Sequence, residues 1–386
     1  MPRKSRRLFL CAALMAGIAI AGGNAGLAQQ PAPGGPPPPR QPSIESPVVH
    51  PDRTVTFNFR APAAQKVELS GQFLRGNQPM QKGDGGVWSL TVGPVEPNLY
   101  PYNFVVDGVG VSDPLNPEVF PNERFKPSLV DVPGGQPSLH SVQPVPHGTV
   151  AYSFYESASL RRTRPLVIYT PPGYRTGTEK YPVFYLVSGT TDTEETWFRA
   201  GRVNFILDNL IAQKKAVPMI VVMPYGNMMM GAPMPSSPEV AAMYQAFSDD
   251  LTGSVIPYVE GNYRVLQDRE KRAIGGFSRG GGQSLFTGFR NPDTFAWIAS
   301  YSAYLTPEVC GKHFPAMLSD PAAANTRLKL LWLGVGREDF LQKPTVEFET
   351  FLKDKGITHT WLETGGGHTW MNARHYLAET LQLFFK

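Results

Sequence analysis

Cysteine is almost missing from this chain: Cys11 and Cys310 are the two in 386 residues. Cys11 falls in a segment that reads as removable, so the mature chain can form no internal disulfide and must draw its stability from a buried core. An excess of charge of one sign is missing too. Arg3, Lys4, Arg6 and Arg7 all belong to the amino terminus, and taking those four from 36 Lys and Arg leaves 32 against 32 Asp and Glu. Such a balance gives no electrostatic footprint for nucleic acid or for an anionic membrane surface as partner. The uncharged apolar stretch from Leu8 to Ala21 is too short to span a bilayer. Histidine, cysteine and carboxylate spacings form no zinc pattern, and neither a phosphate loop nor a dinucleotide fingerprint stands out, so no metal and no cofactor is expected.

The basic amino terminus, the apolar stretch and the small residues after it read as an export signal, residues 1–28, with a cut after Ala28. Ser5-Arg6-Arg7-Leu8-Phe9-Leu10 resembles the twin-arginine type, and a periplasmic or secreted location is expected. Residues 29–47 carry eight prolines and read as a linker. From 48 to 135 the pattern is one of short alternating runs broken by Gly, Pro, Asn and Asp. Thr54–Phe59, Lys66–Ser70, Val87–Val92 and Tyr100–Val106 predict strands of a small β-sandwich. Leu69-Ser70-Gly71-Gln72-Phe73, Gly86-Val87-Trp88, Asp107-Gly108 and Asp113-Pro114-Leu115-Asn116 resemble the immunoglobulin-like modules of carbohydrate-binding module family 48. That resemblance implies polysaccharide contact. Trp88, Tyr100, Tyr102 and Phe104, however, occupy alternating strand positions that core packing explains as well.

Residues 136–150 read as a second linker, and 151–386 as an α/β domain. Val150, Tyr152 and Phe154 alternate in one strand that forms a hairpin with Leu166–Tyr169. Apolar strands then follow at Val183–Val187, Met219–Met223, Ala273–Phe277, Phe295–Ser300, Leu328–Val335 and Thr358–Leu362, with helical stretches between them. Right-handed crossovers give a doubly wound, mostly parallel sheet covered by helices on both faces.

In such a sheet functional groups gather where strands end. Gly276-Phe277-Ser278-Arg279-Gly280 places a serine in a strand, sharp turn, helix context, with glycines where a side chain would collide with neighbouring backbone. Arg337-Glu338-Asp339 follows the next strand but one, and Gly365-Gly366-Gly367-His368-Thr369-Trp370 the last. Serine, acid, histidine is the chain order of α/β-hydrolases. Ser278 is the expected nucleophile, His368 the base and Asp339 the residue that orients it, with Glu338 an adjacent alternative. Among seven histidines only His368 has this position: His359 reads as lying within a strand, His375 in the last helix and His313 beside a loop.

With Thr170-Pro171-Pro172-Gly173-Tyr174, Tyr181-Pro182-Val183, Asn291-Pro292-Asp293-Thr294-Phe295 and Gly366-Gly367-His368-Thr369-Trp370, the second half resembles the putative esterase family. That family includes feruloyl esterases, esterase D-like hydrolases, siderophore esterases and mycolyltransferases. The resemblance implies the same three residues in the same roles, and an oxyanion hole made by the backbone N–H groups of Arg279 and Thr190. It also exposes a departure, Ser188-Gly189 where the family commonly has His-Gly. Arg279 reads either as a charge near the nucleophile or as a solvent-facing helix start. Met228, Met229, Trp197 and Trp370 read as candidates for an adaptable acyl pocket or as core. The expected function is an exported serine carboxylic ester hydrolase acting on feruloyl or acetyl esters of plant polysaccharide. The rival readings are a siderophore esterase whose basic pocket would use Arg279, Arg199 and Arg202, a mycolyl-type acyltransferase, and a catalytically inert glycan-binding protein.

Overall fold

The computed structural model describes residues 43–228 and 237–386, with backbone alone at 237–239. The export segment 1–28, most of the 29–47 linker and Met229 lie outside the described residues. No helix of the described residues is long and apolar enough to cross a membrane.

Nine short strands build the first layer pair: β1 (Val48–Val49), β2 (Val55–Arg60), β3 (Val67–Gly71), β4 (Gln78–Pro79), β5 (Gln81–Lys82), β6 (Val87–Val92), β7 (Asn98–Val106), β8 (Val109–Val111) and β9 (Ser128–Val132). They form two antiparallel sheets, β1-β2-β6-β5 and β4-β3-β7-β8, with β9 also paired to β7. Period-2 alternation turns Val55, Phe57 and Phe59 of β2 inward, against Val67, Leu69, Tyr102 and Phe104 of the facing sheet. Trp88, Tyr100, Tyr102 and Phe104 are all buried in this core. Their polar ends are met internally: Trp88 Nε1–H donates to Ala61 O at 2.9 Å and Tyr102 OH to Asp113 Oδ2 at 2.7 Å. Packing therefore accounts for these four aromatics, and none of them is free to meet a sugar.

The segment between β9 and β10 (Thr149–Ser157), expected as a linker, is held against the helix Val203–Ala212. Asn209 Nδ2 donates to Leu139 O at 2.8 Å, and His147 meets Asp208 at 2.9 Å. The hairpin of β10 and β11 (Arg162–Thr170) opens an eight-stranded sheet completed by β12 (Val183–Val187), β13 (Ile220–Pro224), β14 (Arg272–Phe277), β15 (Trp297–Tyr301), β16 (Leu330–Gly336) and β17 (Thr360–Thr364). The order is β10-β11-β13-β12-β14-β15-β16-β17, with β11 antiparallel to both β10 and β13 and the remaining pairs parallel. The central strands are buried throughout, which is why they read as unbroken apolar runs.

The last three strands begin two residues later than the apolar pattern suggests. Phe295 is buried by packing edge-on against Tyr185, Leu328 closes the helix Pro321–Arg327, and Thr358 N–H donates to Asn325 Oδ1 at 2.8 Å. His359 consequently precedes β17 rather than lying within it, with its ring nitrogens on Ile357 O and Glu349. The sandwich and the large sheet share one core. Leu99, Phe120 and Leu129 pack in the same cluster as Trp197, Val203, Trp370 and Ala373.

Candidate active site

β14 delivers Ser278 to the start of the helix Arg279–Arg290 at φ 57°, ψ −123°. This left-handed backbone costs a non-glycine residue of order 1–3 kcal/mol. Ser278 N–H donates to Tyr301 O at 2.8 Å, which fixes the turn on the neighbouring strand. The flanking glycines are required by close approach. A Cβ at Gly276 would strike Val187 O and stand 2.7 Å from the Gly280 carbonyl, and one at Gly280 would stand 2.6 Å from Ser188 O. The serine is half-buried.

Asp339 and His368 arrive from the two strands at the far end of the sheet. Asp339 follows β16 and is buried, whereas Glu338 points outward and is exposed. His368 Nδ1 lies 2.9 and 3.0 Å from the two Asp339 oxygens. An ionised carboxylate only accepts, so the proton sits on Nδ1 and Nε2 is left as a base. Burial pushes the Asp339 carboxyl up, but the His368 hydrogen bond, the Leu341 N–H and the imidazole charge outweigh it and hold the group below its ordinary value. The His368 ring is held between Phe277 and Phe340, each 4.5 Å away between centroids. Its loop is clamped by Asn372 Nδ2, which donates to Gly365 O and Gly367 O at 3.1 Å each, while Gly366 turns the chain at φ 82°.

Opposite this pair lies the loop that leaves β12. Ser188, which stands in the position of the family histidine, is buried and donates to Thr193 O at 2.9 Å, closing the loop on itself. Gly189 N–H is committed to Asp192 Oδ2 at 3.0 Å. The N–H groups of Thr190 and Arg279 have no backbone partner among the described residues, and that of Arg279 is one of the orphan donors every helix start exposes. Asp192 is itself buried. Desolvation pushes its carboxyl up to about 7 against the opposing pull of Arg279 and the Gly189 N–H.

Arg279 is buried as well, and so does not face solvent from the helix start. Burial depresses its pKa, with Glu123 and Asp192 acting the other way.

A cavity of about 910 Å³ joins these groups, lined by Ser278, His368, Arg279, Thr190, Asp192 and Trp370 among others. Its volume is near the top of the range usual for small-molecule sites. Two expected pocket residues are elsewhere. Trp197 is core, its Nε1–H donating to Val187 O at 3.0 Å, and Met228 packs in the core on the other face of the sheet. Position on the connection after a strand does not say to which face such side chains turn. The cavity instead takes Met243 and Tyr244, from the helix Ser237–Asp250, and Phe340. Arg199 and Arg202 do not line it, and Arg202 pairs with Glu118 at 3.2 Å. His313, which ends the helix Pro307–His313, and Lys312 do line it. Among the described residues no cluster of three or more His, Cys, Asp or Glu could hold a metal.

The family model described as Putative esterase matches residues 157–383, and that of Carbohydrate-binding module 48 (Isoamylase N-terminal domain) matches 47–118. An endo-1,4-beta-xylanase/feruloyl esterase of Xylanibacter ruminicola is 29% identical over 359 residues, covering 91% of this chain and 47% of that protein. The chain thus spans about half the length of that relative. Among solved structures, a ferulic acid esterase matches at 27% identity with TM-score 0.53, over 61% of this chain and 97% of that one. The enterobactin esterase of Shigella flexneri matches at 19% identity with TM-score 0.62, over 85% of this chain and 92% of that one, a likeness of fold.

Proposed function

The chain belongs to the putative esterase family, and from that premise we propose that it is an exported serine carboxylic ester hydrolase acting on feruloyl or acetyl esters of plant polysaccharide. The observation that carries the chemistry is a single cavity bearing Ser278 and His368, with the imidazole tied through Nδ1 to Asp339 and Nε2 left as base. In this reading Ser278 Oγ attacks the ester carbonyl while His368 Nε2 takes its proton, and Asp339 stabilises the imidazolium. The oxyanion is held by the N–H groups of Arg279 and Thr190, each such donor being typically worth about 10²–10³ in rate. The carbonyl reforms, the ester C–O bond breaks, and His368 returns the proton to the leaving alcohol. Water then attacks the acyl-enzyme with His368 as base, and the carboxylic acid leaves Ser278.

The substrate class rests on the likeness to a xylanase/feruloyl esterase and a ferulic acid esterase, together with the carbohydrate-type module. The siderophore reading called for a basic pocket from Arg279, Arg199 and Arg202, of which only Arg279 lines the cavity. The test is hydrolysis of methyl ferulate, acetylated xylan and a catechol-siderophore lactone by the purified protein. Turnover of either of the first two above the lactone supports the proposal, and preference for the lactone overturns it.

A further inference from the structure

Thr190, whose N–H is offered to the oxyanion, lies in a turn that its own residues do not favour. Asp192 N–H donates to Gly189 O at 3.3 Å, which closes Gly189-Thr190-Thr191-Asp192 as a four-residue turn. Its φ is positive at Thr191, 63°, and at no other of the four. That is the pattern of a type II turn, whose third residue is normally glycine. A β-branched residue is strained there and keeps such a backbone only where its surroundings hold it.

The surroundings that hold Thr191 come from the amino-terminal module. Both hydrogen bonds that Thr191 makes among the described residues reach the connection between β8 and β9. Glu123 N–H donates to Thr191 O at 2.7 Å and Asn122 Nδ2 to Thr191 Oγ1 at 2.9 Å. Just beyond the turn, Thr196 Oγ1 donates to Pro121 O at 3.0 Å. The gripping residues are fixed as well. Asn122 Oδ1 accepts Arg124 N–H at 3.0 Å, which sets its carboxamide, and the Glu123 carboxylate accepts from Asn227 Nδ2, on the connection after β13, at 2.8 and 2.9 Å. The buried Arg374 of the last helix donates to Ala200 O at 2.7 Å and to Asn98 Oδ1 and Leu99 O of β7 at 2.6 Å each, which ties the module to the large sheet's domain.

The bonds that the large sheet's own domain makes to this loop stop short of Thr191. Ser188 Oγ closes on Thr193 O and Gly189 N–H on Asp192 Oδ2, on either side of it. Were Thr191 to relax to a negative φ, the peptide joining it to Thr190 would turn over, and the backbone that Thr190 presents to the cavity would no longer match the oxyanion.

We propose that the module is a positioning element for the oxyanion hole: Asn122 and Glu123 hold Thr191 in its left-handed backbone and thereby keep the Thr190 N–H on the oxyanion. The proposal rests on the esterase reading above and gives the module a part in the chemical step. Acylation and deacylation both pass through an oxyanion, so loosening this grip lowers kcat for every ester, whichever step limits and whatever the alcohol.

Asn122→Ala removes the donor, and Thr191→Val the acceptor, of one hydrogen bond. Each should lower kcat by roughly threefold to tenfold, the scale of one lost hydrogen bond, by the same factor on methyl ferulate and on 4-nitrophenyl acetate. KM should stay within about twofold. The double variant should fall no more than about twofold below the singles, because both remove the same contact. Thr191→Ser, which keeps the oxygen, should recover most of kcat. Thermal unfolding run in parallel establishes that each variant is folded. Folded Asn122→Ala and Thr191→Val proteins with wild-type kcat, a loss carried by KM, or a loss confined to one ester would overturn the proposal while leaving the esterase reading intact. A wild-type protein inactive on methyl ferulate, 4-nitrophenyl acetate and acetylated xylan would overturn both.

Discussion

Asp339→Asn is the perturbation whose size follows most directly from the geometry. In the wild type both carboxylate oxygens meet His368 Nδ1, at 2.9 and 3.0 Å, and Oδ1 also accepts the Leu341 N–H at 2.8 Å. An asparagine must keep its carbonyl oxygen on Leu341 N–H, which turns its NH₂ toward the imidazole. Nδ1 then has to accept, the ring proton moves to Nε2, and the base loses the lone pair that takes the Ser278 proton. The same tautomer error in other triads costs about 10⁴ in kcat, or about 5.5 kcal/mol of barrier. The assay is kcat on whichever ester the wild type turns over fastest, with thermal unfolding run in parallel to establish that the variant is folded. Glu338→Gln, at the exposed neighbour, should stay within about twofold, since surface changes away from the site are small. A folded Asp339→Asn protein that keeps more than a tenth of wild-type kcat would refute the reasoning, as would a large loss in Glu338→Gln with Asp339→Asn unaffected.

Three further outcomes follow from groups around the site. Gly276→Ala puts a methyl against backbone oxygens that cannot give way, and it should cost about 1–3 kcal/mol, read as a Tm lower by about 3–10 °C. An unchanged Tm would count against the close approach. Arg374→Ala removes the donor from two buried carbonyl oxygens and from the half-buried Asn98 Oδ1, and should destabilise by about 3–5 kcal/mol in chemical denaturation. A change below about 1 kcal/mol would mean that the interface does not depend on it. Asp192 has a folded value of about 7 against an ordinary 3.8, so the stability it lends is full below the ordinary value and is lost as pH rises through about 7. Asp192→Asn should therefore gain Tm relative to wild type between pH 5 and pH 8, and a difference that does not vary with pH would contradict the assignment.

Much of this site was legible in the sequence because it depends on local constraints. Gly276 and Gly280 are needed by backbone contacts one strand away, and Ser278 and His368 sit where strands end, which chain order alone reveals. The choice between Glu338 and Asp339 was not legible, because it turns on how the chain leaves β16 and which side chain that turns inward. Trp197 and Met228 were open for a similar reason: a side chain on the connection that follows a strand can turn to the core as readily as to the cleft. The largest gap concerns groups whose surroundings come from far along the chain. Asp192 is ordinary in its own segment and is raised by its burial in the fold, with a smaller push in the same direction from the charge of Glu123, far away in the sequence. Trp88 and Tyr102 could be read two ways until the sandwich put them inside.

The most direct test of the central claim is covalent. Fluorophosphonate treatment of the wild type followed by peptide mass spectrometry should place one adduct, at near-stoichiometric yield, on the peptide containing Ser278, and Ser278→Ala should lose both the adduct and ester hydrolysis. An adduct on a different serine, or hydrolysis that persists in Ser278→Ala at the wild-type rate, would contradict the account.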